Sequence, residues 1–169
     1  MNTDRKKSFF VPSTYRKESL SRLAASIEIN EKTAQELTNK NAIVTGASSG
    51  LGKALALQLA KWDMKQIVLS GRNMNSLQDV KEQCDALNSQ CEFHVLPCDL
   101  SDIEASKKFA KDALSKCNYN VDVLVLCGGM SSRSSFLESS CEVDKLLMKV
   151  NFLSGSAISK EIVPSMGDT

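Results

Sequence analysis

Thr45-Gly46-Ala47-Ser48-Ser49-Gly50-Leu51-Gly52 separates a short apolar run, Asn41–Thr45, from a stretch with helical periodicity. An apolar run that ends in glycine reads as a buried strand. Residues 50–62 place Leu51, Ala54, Leu55, Leu59 and Trp62 on one helical face. Each glycine between strand and helix has its own use. Gly46 permits a tight exit from the strand, Gly50 lets main chain approach a phosphate with no Cβ in the way, and Gly52 lets the helix pack close to the sheet. The free N–H groups at the helix start face an anion, and the helix dipole adds to the attraction. The hydroxyls of Ser48 and Ser49 supply further donors. A glycine string by itself also fits an ordinary strand–helix turn. Its place after a strand, before a helix and at the head of a strand–helix series is what a dinucleotide-binding turn requires.

The same alternation continues outward. Gln66–Ser70, Glu92–Pro97 and Asp122–Leu126 are further apolar runs and read as strands. Leu77, Val80, Cys84 and Leu87 mark a second helix. Ser101 reads as the N-cap of a third, with Ile103, Ala110, Ala113, Leu114 and Cys117 on its buried side. Val143, Leu146, Leu147, Val150 and Ala157 mark a last helix running into Pro164. Strands that alternate with helices predict parallel pairing through right-handed crossovers. Continuous apolar strands predict a sheet covered on both faces. The expected fold is α/β, a Rossmann-type doubly wound parallel sheet, incomplete, with β1–β4 and their helices. No internal repeat or low-complexity tract competes with it.

A chain of 169 residues suits one domain, and a net charge of +1 gives no reason to expect a nucleic-acid partner. No apolar run approaches the roughly 20 residues that span a membrane. Residues 1–40 are expected to be a mobile N-terminal extension and residues 41–169 the domain. The basic, hydroxyl-rich start also fits an organelle transit peptide, although Asp4 and Glu18 speak against it, and Phe9-Phe10-Val11 stops at Pro12, too short for a secretory core. Six cysteines are spread singly without a C-x-x-C pair, so no metal site is expected. Free thiols in a reducing, intracellular compartment are the plainer reading, with the cytoplasm as the expected location. A transit peptide or peripheral membrane association stays open.

The spacing Gly-x-x-x-Gly-x-Gly resembles TGxxxGxG, the hallmark of the short-chain dehydrogenase/reductase family. The resemblance extends over residues 41–166. Val68–Asn73 resembles the end of that family's second strand, and Cys98-Asp99-Leu100 its adenine-contacting segment. Leu126-Cys127-Gly128-Gly129 stands where the family has Asn-Asn-Ala-Gly, and Val150-Asn151-Phe152 resembles the segment that carries its catalytic Asn. The resemblance implies a cofactor site made by Thr45, Gly46, Ser48, Ser49, Gly50, Leu51, Gly52, Arg72, Asp99, Leu100, Cys127, Gly128 and Gly129, with Asn151 as a catalytic residue. It also implies a small-molecule carbonyl or alcohol substrate. The stretches Cys127–Ser140 and Lys149–Met166 are closer to one branch, whose members reduce carbonyls of steroids, retinoids and xenobiotics with NADPH. Leu126 and Cys127 depart from the pattern. A thiol replaces the second Asn only partly in volume and is a weak donor.

NAD-binding folds of this kind place an acid at the end of the second strand to hold the ribose 2′-OH. Here Gly71 occupies that position and Arg72 follows. No carboxylate repels a 2′-phosphate, and a guanidinium is placed to pair with it. NADP(H) is therefore expected over NAD(H). The other reading of Arg72 is a solvated surface arginine, and of Asn151 an ordinary polar residue inside a helix.

The family pattern implies a serine that holds the carbonyl and a Tyr-x-x-x-Lys pair that delivers the proton. Tyr15 is followed four residues later by Ser19 and Tyr119 by Val123, so neither is that tyrosine. The pattern runs to Pro164-Ser165-Met166, before the strand that would lead to the pair. The expectation is therefore the cofactor-binding half of an oxidoreductase, C-terminally truncated, inactive and marginally stable alone. Its fourth strand would then be an apolar edge. The alternative is a catalytically dead short form that binds nucleotide or dimerises through the last helix, a helix that family members often use for dimer contacts.

Overall fold

In the computed structural model of the chain, residues 35–134 and 137–167 are described. The expected mobile extension and transit peptide fall mostly within residues 1–34, outside the described residues. Four strands form one parallel sheet: β1 (Asn41–Thr45), β2 (Gln66–Gly71), β3 (Glu92–Pro97) and β4 (Val123–Leu126), in the order β3-β2-β1-β4. Helices α1 (Gly50–Ala60), α2 (Met74–Leu87) and α3 (Ile103–Lys116) connect them, and α4 (Cys141–Met148) and α5 (Ser154–Ile162) follow β4. The strands run through a two-faced core because successive side chains point to opposite faces. Ala42, Val44, Ile67, Leu69 and Phe93 pack with α1 and α2 on one face. Ile43 and Val68 pack with Phe109, Ala110, Ala113 and Leu114 of α3 and Ile158 and Ile162 of α5 on the other. The unbroken apolar runs of β1 and β2 follow from this double cover.

Several expectations are corrected. On α1 the buried face is Gly52, Ala56, Leu59 and Ala60; of the expected stripe Leu59 is buried and Trp62 packs against the core, whereas Leu51 is 36% exposed. The helix lies so close to the glycine turn that small residues face it. Leu87 closes α2 on the exposed side. The N-cap of α3 is Asp102, whose Oδ1 accepts from the N–H groups of Glu104 (2.9 Å) and Ala105 (3.1 Å). Ser101 is drawn away because its N–H donates to Asp99 Oδ1 at 2.9 Å. Strand β4 starts at Val123 because Asp122 serves as a clamp: its carboxylate accepts from the Asn41 N–H (2.8 Å) and from Lys40 Nζ (3.0 Å). These bonds tie the start of β4 to the start of β1.

The expected single last helix is broken. Lys149–Leu153 winds as a π-helical turn between α4 and α5, and Val163–Ser165 is a 3₁₀ turn. The wider turn inserts a residue, so the apolar stripe read from Val143 to Ala157 does not keep one face. Helix α4 has no fully buried residue, whereas α5 buries Ser154, Ala157, Ile158 and Ile162. As expected, β4 is an edge: among the described residues it pairs only with β1, and its side chains are half-buried or exposed.

Candidate cofactor site

The glycine turn leaves β1 in the left-handed region. Gly46 has φ 66° and Gly50 has φ 56°, where an L side chain is strained. A Cβ on Gly46 would lie 2.7 Å from the main-chain carbon of Cys127, so the exit from β1 also sits against the exit from β4. A Cβ on Gly50 would meet nothing within 4 Å. That glycine serves conformation and leaves open space above the turn. A Cβ on Gly52 would collide with the Gly46 carbonyl oxygen. The close approach that Gly52 permits is therefore to the turn itself rather than to the sheet.

Helix α1 is also capped differently from its neighbours. Asn73, Asp102 and Ser140 cap the helices that follow them with side-chain acceptors, whereas Ser49 at the start of α1 makes no such bond. The first turn of α1 holds no acidic residue. Its N–H groups and positive dipole end remain available to an anion.

These features open on one cleft. It is lined by Thr45, Gly46, Ser48, Ser49, Gly50, Leu51, Arg72, Asp99, Leu100, Cys127, Gly128 and Gly129, and by Ser70, Gly71, Cys98, Met130 and Val150. The cleft is an open groove of about 240 Å³, somewhat smaller than the roughly 300–1,000 Å³ of enclosed small-molecule sites. It lies across the C-terminal ends of all four strands, where open α/β sheets place their ligands. Of the residues expected to hold a cofactor, only Gly52 stands outside the lining, beneath the turn it supports. Ser70, Cys98 and Val150 are not among the expected site residues; Ser70 lies one residue before the end of β2 and Cys98 one residue after the end of β3. Met130 had no signal in its residue type, since its main chain is what matters.

Thr45 fixes the far wall. Its hydroxyl accepts from the Gly128 N–H at 3.2 Å and donates to the Val125 carbonyl at 3.5 Å. A Cβ on Gly128 would meet Leu100 Cδ1, the movable end of a side chain, and would otherwise sit at ordinary contact distance from Thr45 and Gly46. The Leu126-Cys127 departure therefore leaves the main-chain geometry of this wall in place. Leu126 turns toward Gly155 of α5, and Cys127 is half-buried. Burial pushes the Cys127 thiol above its ordinary pKa, so it is a neutral thiol at pH 7.

Asp99 is exposed at the mouth, where Oδ1 accepts from Ser101. That main-chain bond holds its carboxyl below the usual range, with the Ser101 hydroxyl and the Arg72 charge acting in the same direction. Asp99 is thus an ionised acceptor near Arg72. Asn151 lies beside the cleft and lines the adjoining cavity along α5. Its amide makes two bonds with one residue: Oδ1 accepts from the Met130 N–H at 2.8 Å, and Nδ2 donates to the Met130 carbonyl at 2.8 Å. The π-helical turn presents Asn151 to the main chain after Gly129. Its side chain is committed to positioning that segment.

All six thiols are free, and burial raises those of Cys84 and Cys117 to about 11 and that of Cys91 to about 12. Among the described residues no group of His, Cys, Asp and Glu could hold a metal ion, and no helix is long and apolar enough to cross a membrane.

The sheet order, the two-sided helical cover and the glycine turn define a Rossmann-type α/β protein. Residues 40–169 match the family model described as short chain dehydrogenase, and the chain belongs to the short-chain dehydrogenase/reductase family. Dehydrogenase/reductase SDR family member 7 of Homo sapiens is 37% identical over 133 residues, which are 78% of this chain and 39% of that protein. Dehydrogenase/reductase SDR family member 7B of Rattus norvegicus is 35% identical over 134 residues, covering 77% of this chain and 41% of that protein. The chain spans about two fifths of the length of these curated relatives. Among solved structures, a metagenomic short-chain oxidoreductase in complex with NADP superposes with a TM-score of 0.70 at 28% identity, over 77% of this chain and 57% of that one. An alcohol dehydrogenase from the archaeon Thermococcus sibiricus, complexed with 5-hydroxy-NADP, gives 0.69 at 28% identity over 75% and 53%.

Proposed function

We propose that these residues form the NADP(H)-binding half of a short-chain dehydrogenase/reductase that reduces a carbonyl or oxidises an alcohol on a small molecule. The observation that carries this reading is the convergence of the uncapped glycine turn, Arg72, Asp99 and Gly128-Gly129 on one cleft. Solved relatives that hold NADP add support. The residues fit the cofactor by their chemistry. Main-chain N–H groups at the start of α1 would receive the pyrophosphate, Asp99 the adenine amino group, and Arg72 the 2′-phosphate. Bound nicotinamide supplies or accepts the hydride. The protein's part, within this chain, is to hold and orient the cofactor. Thr45 and Asn151 shape the wall after β4 along which the reactive ring would lie.

Proton delivery is not assigned to any residue here, because the 169 residues contain no Tyr-x-x-x-Lys pair. The chain by itself is expected to bind cofactor without turnover. The test of the cofactor reading is a titration of NADPH and NADH into the unaltered chain and into Arg72→Glu. Tighter NADPH binding that is lost or reversed in the variant supports it. A preference for NADH in the unaltered chain overturns it.

One observation favours a second role beside the first. Helix α4 and the π-helical turn expose Leu146, Met148, Phe152 and Leu153. An apolar face of that kind suits a homo-oligomer or dimerisation module. Sedimentation velocity with Phe152→Glu checks it: the unaltered chain should self-associate, and the variant should remain monomeric.

A further inference from the structure

A buried hydroxyl stands where the helical segment that carries Asn151 changes pitch. In an α-helix the Ser154 N–H would donate to the Val150 carbonyl, four residues back. Here it donates to the Lys149 carbonyl, five residues back, and closes the π-helical turn Lys149–Leu153. The Ser154 side chain takes over the bond that its main chain gives up: Oγ donates to the Val150 carbonyl at 2.8 Å. Ser154 is 2% exposed, so its hydroxyl is satisfied within the helix rather than by solvent. The turn presents Asn151, whose amide bonds both main-chain groups of Met130 at 2.8 Å. Met130 and Val150 line the cleft. Helix α5 is anchored on the sheet by Ile158 and Ile162. Relaxing the turn to α-helical pitch would rotate the segment before it by roughly 100° relative to α5, the angle of one residue, and carry Asn151 off Met130.

We infer that Ser154 is a positioning residue: its hydroxyl holds the π-helical turn at its wider pitch and so aims Asn151 at the wall of the cleft. The inference rests on the cofactor reading above for what that wall serves, and deepens it. A helical serine ordinarily adds a hydroxyl bond to the carbonyl one turn back and bends the helix slightly. At Ser154 the two donors are divided, the N–H to Lys149 and the hydroxyl to Val150. That division supplies both carbonyls at a pitch that would otherwise draw the Val150 carbonyl away from its α-helical donor. Ser154 touches neither cofactor nor substrate on this view, and acts through Asn151 and Met130.

Ser154→Ala removes the hydroxyl and favours α-helical pitch. Amide exchange and NMR spectra of the full chain read the result. Exchange at Met130 should rise about tenfold or more, while Ile158 and Ile162 keep their protection. The Asn151 side-chain amide signals should move toward those of a solvated asparagine. Ser156→Ala, the same substitution two residues on, should leave both readouts unchanged. NADPH affinity should fall about three- to tenfold in Ser154→Ala. A Ser154→Ala chain whose Met130 and Asn151 behave as in the unaltered protein overturns the assignment. So does a general loss of protection through α5, which would make Ser154 a core residue without a positioning role. Faster exchange at Met130 with unchanged NADPH affinity overturns the link from turn to cleft. The two readings fail separately. An unaltered chain that binds no NADPH defeats the cofactor reading, whereas exchange at Met130 decides the hold of Ser154 on Asn151 with no cofactor present.

Discussion

Gly46 and Gly50 share a left-handed conformation but differ in what surrounds them, and that difference separates folding from binding. Gly46→Ala adds strain and drives a Cβ into the main chain at Cys127. It should cost more than the roughly 1–2 kcal/mol of left-handed strain and unfold the chain at lower denaturant. Gly50→Ala meets open space, so only the strain of about 1–2 kcal/mol is expected in stability, while nucleotide affinity should fall further as the Cβ enters the phosphate path. Denaturation curves and NADPH titrations on the two variants check this contrast. His94 supplies a second residue-scale prediction. Its Nε2 is buried without a hydrogen-bond partner, although Glu92 Oε1 lies 3.4 Å away. Burial lowers its pKa; Glu92 opposes this and the Lys116 and Lys81 charges add to it. Burial prevails because the Glu92 side chain is 63% exposed and its charge is screened by water. A folded pKa below the unfolded one means that protons favour the unfolded chain. Stability contributed at neutral pH should therefore be lost as pH falls through about 6.5. Melting temperatures from pH 7.5 to 5.5 should fall more steeply for the unaltered chain than for His94→Leu; parallel curves would refute the assignment.

At the scale of elements, the strand–helix alternation and the position of the glycine turn were legible in the sequence because they follow from apolar periodicity and backbone freedom. The π-helical turn at Lys149–Leu153 was not, because the Asn151–Met130 pair that meets there joins residues 21 apart through main-chain atoms. The Asp102 cap was misplaced by one residue for a similar reason: Asp99 claims the neighbouring N–H, a competition invisible to local pattern. Family resemblance located Asn151 itself, and the structure shows what its side chain holds. Asn151→Leu should release both Met130 bonds. Amide exchange should then rise at Met130 and through residues 149–153 while β1 and β2 stay protected. Unchanged exchange would mean that the turn stands without its clamp.

For the whole molecule, the residues present complete a sheet face that can hold a nucleotide, while β4 keeps an open edge and α4 an apolar face. These two features predict concentration-dependent association of the chain. Cofactor binding should stabilise the chain by mass action, with the melting temperature rising as NADPH is added. The central claim, that a working NADP(H) cleft is assembled within this chain, is tested most directly by calorimetric titration of the unaltered protein with NADPH and NADH. One NADPH per chain, bound at least about tenfold more tightly than NADH, is the predicted result. Absence of NADPH binding by the folded chain, or tighter binding of NADH, would contradict it.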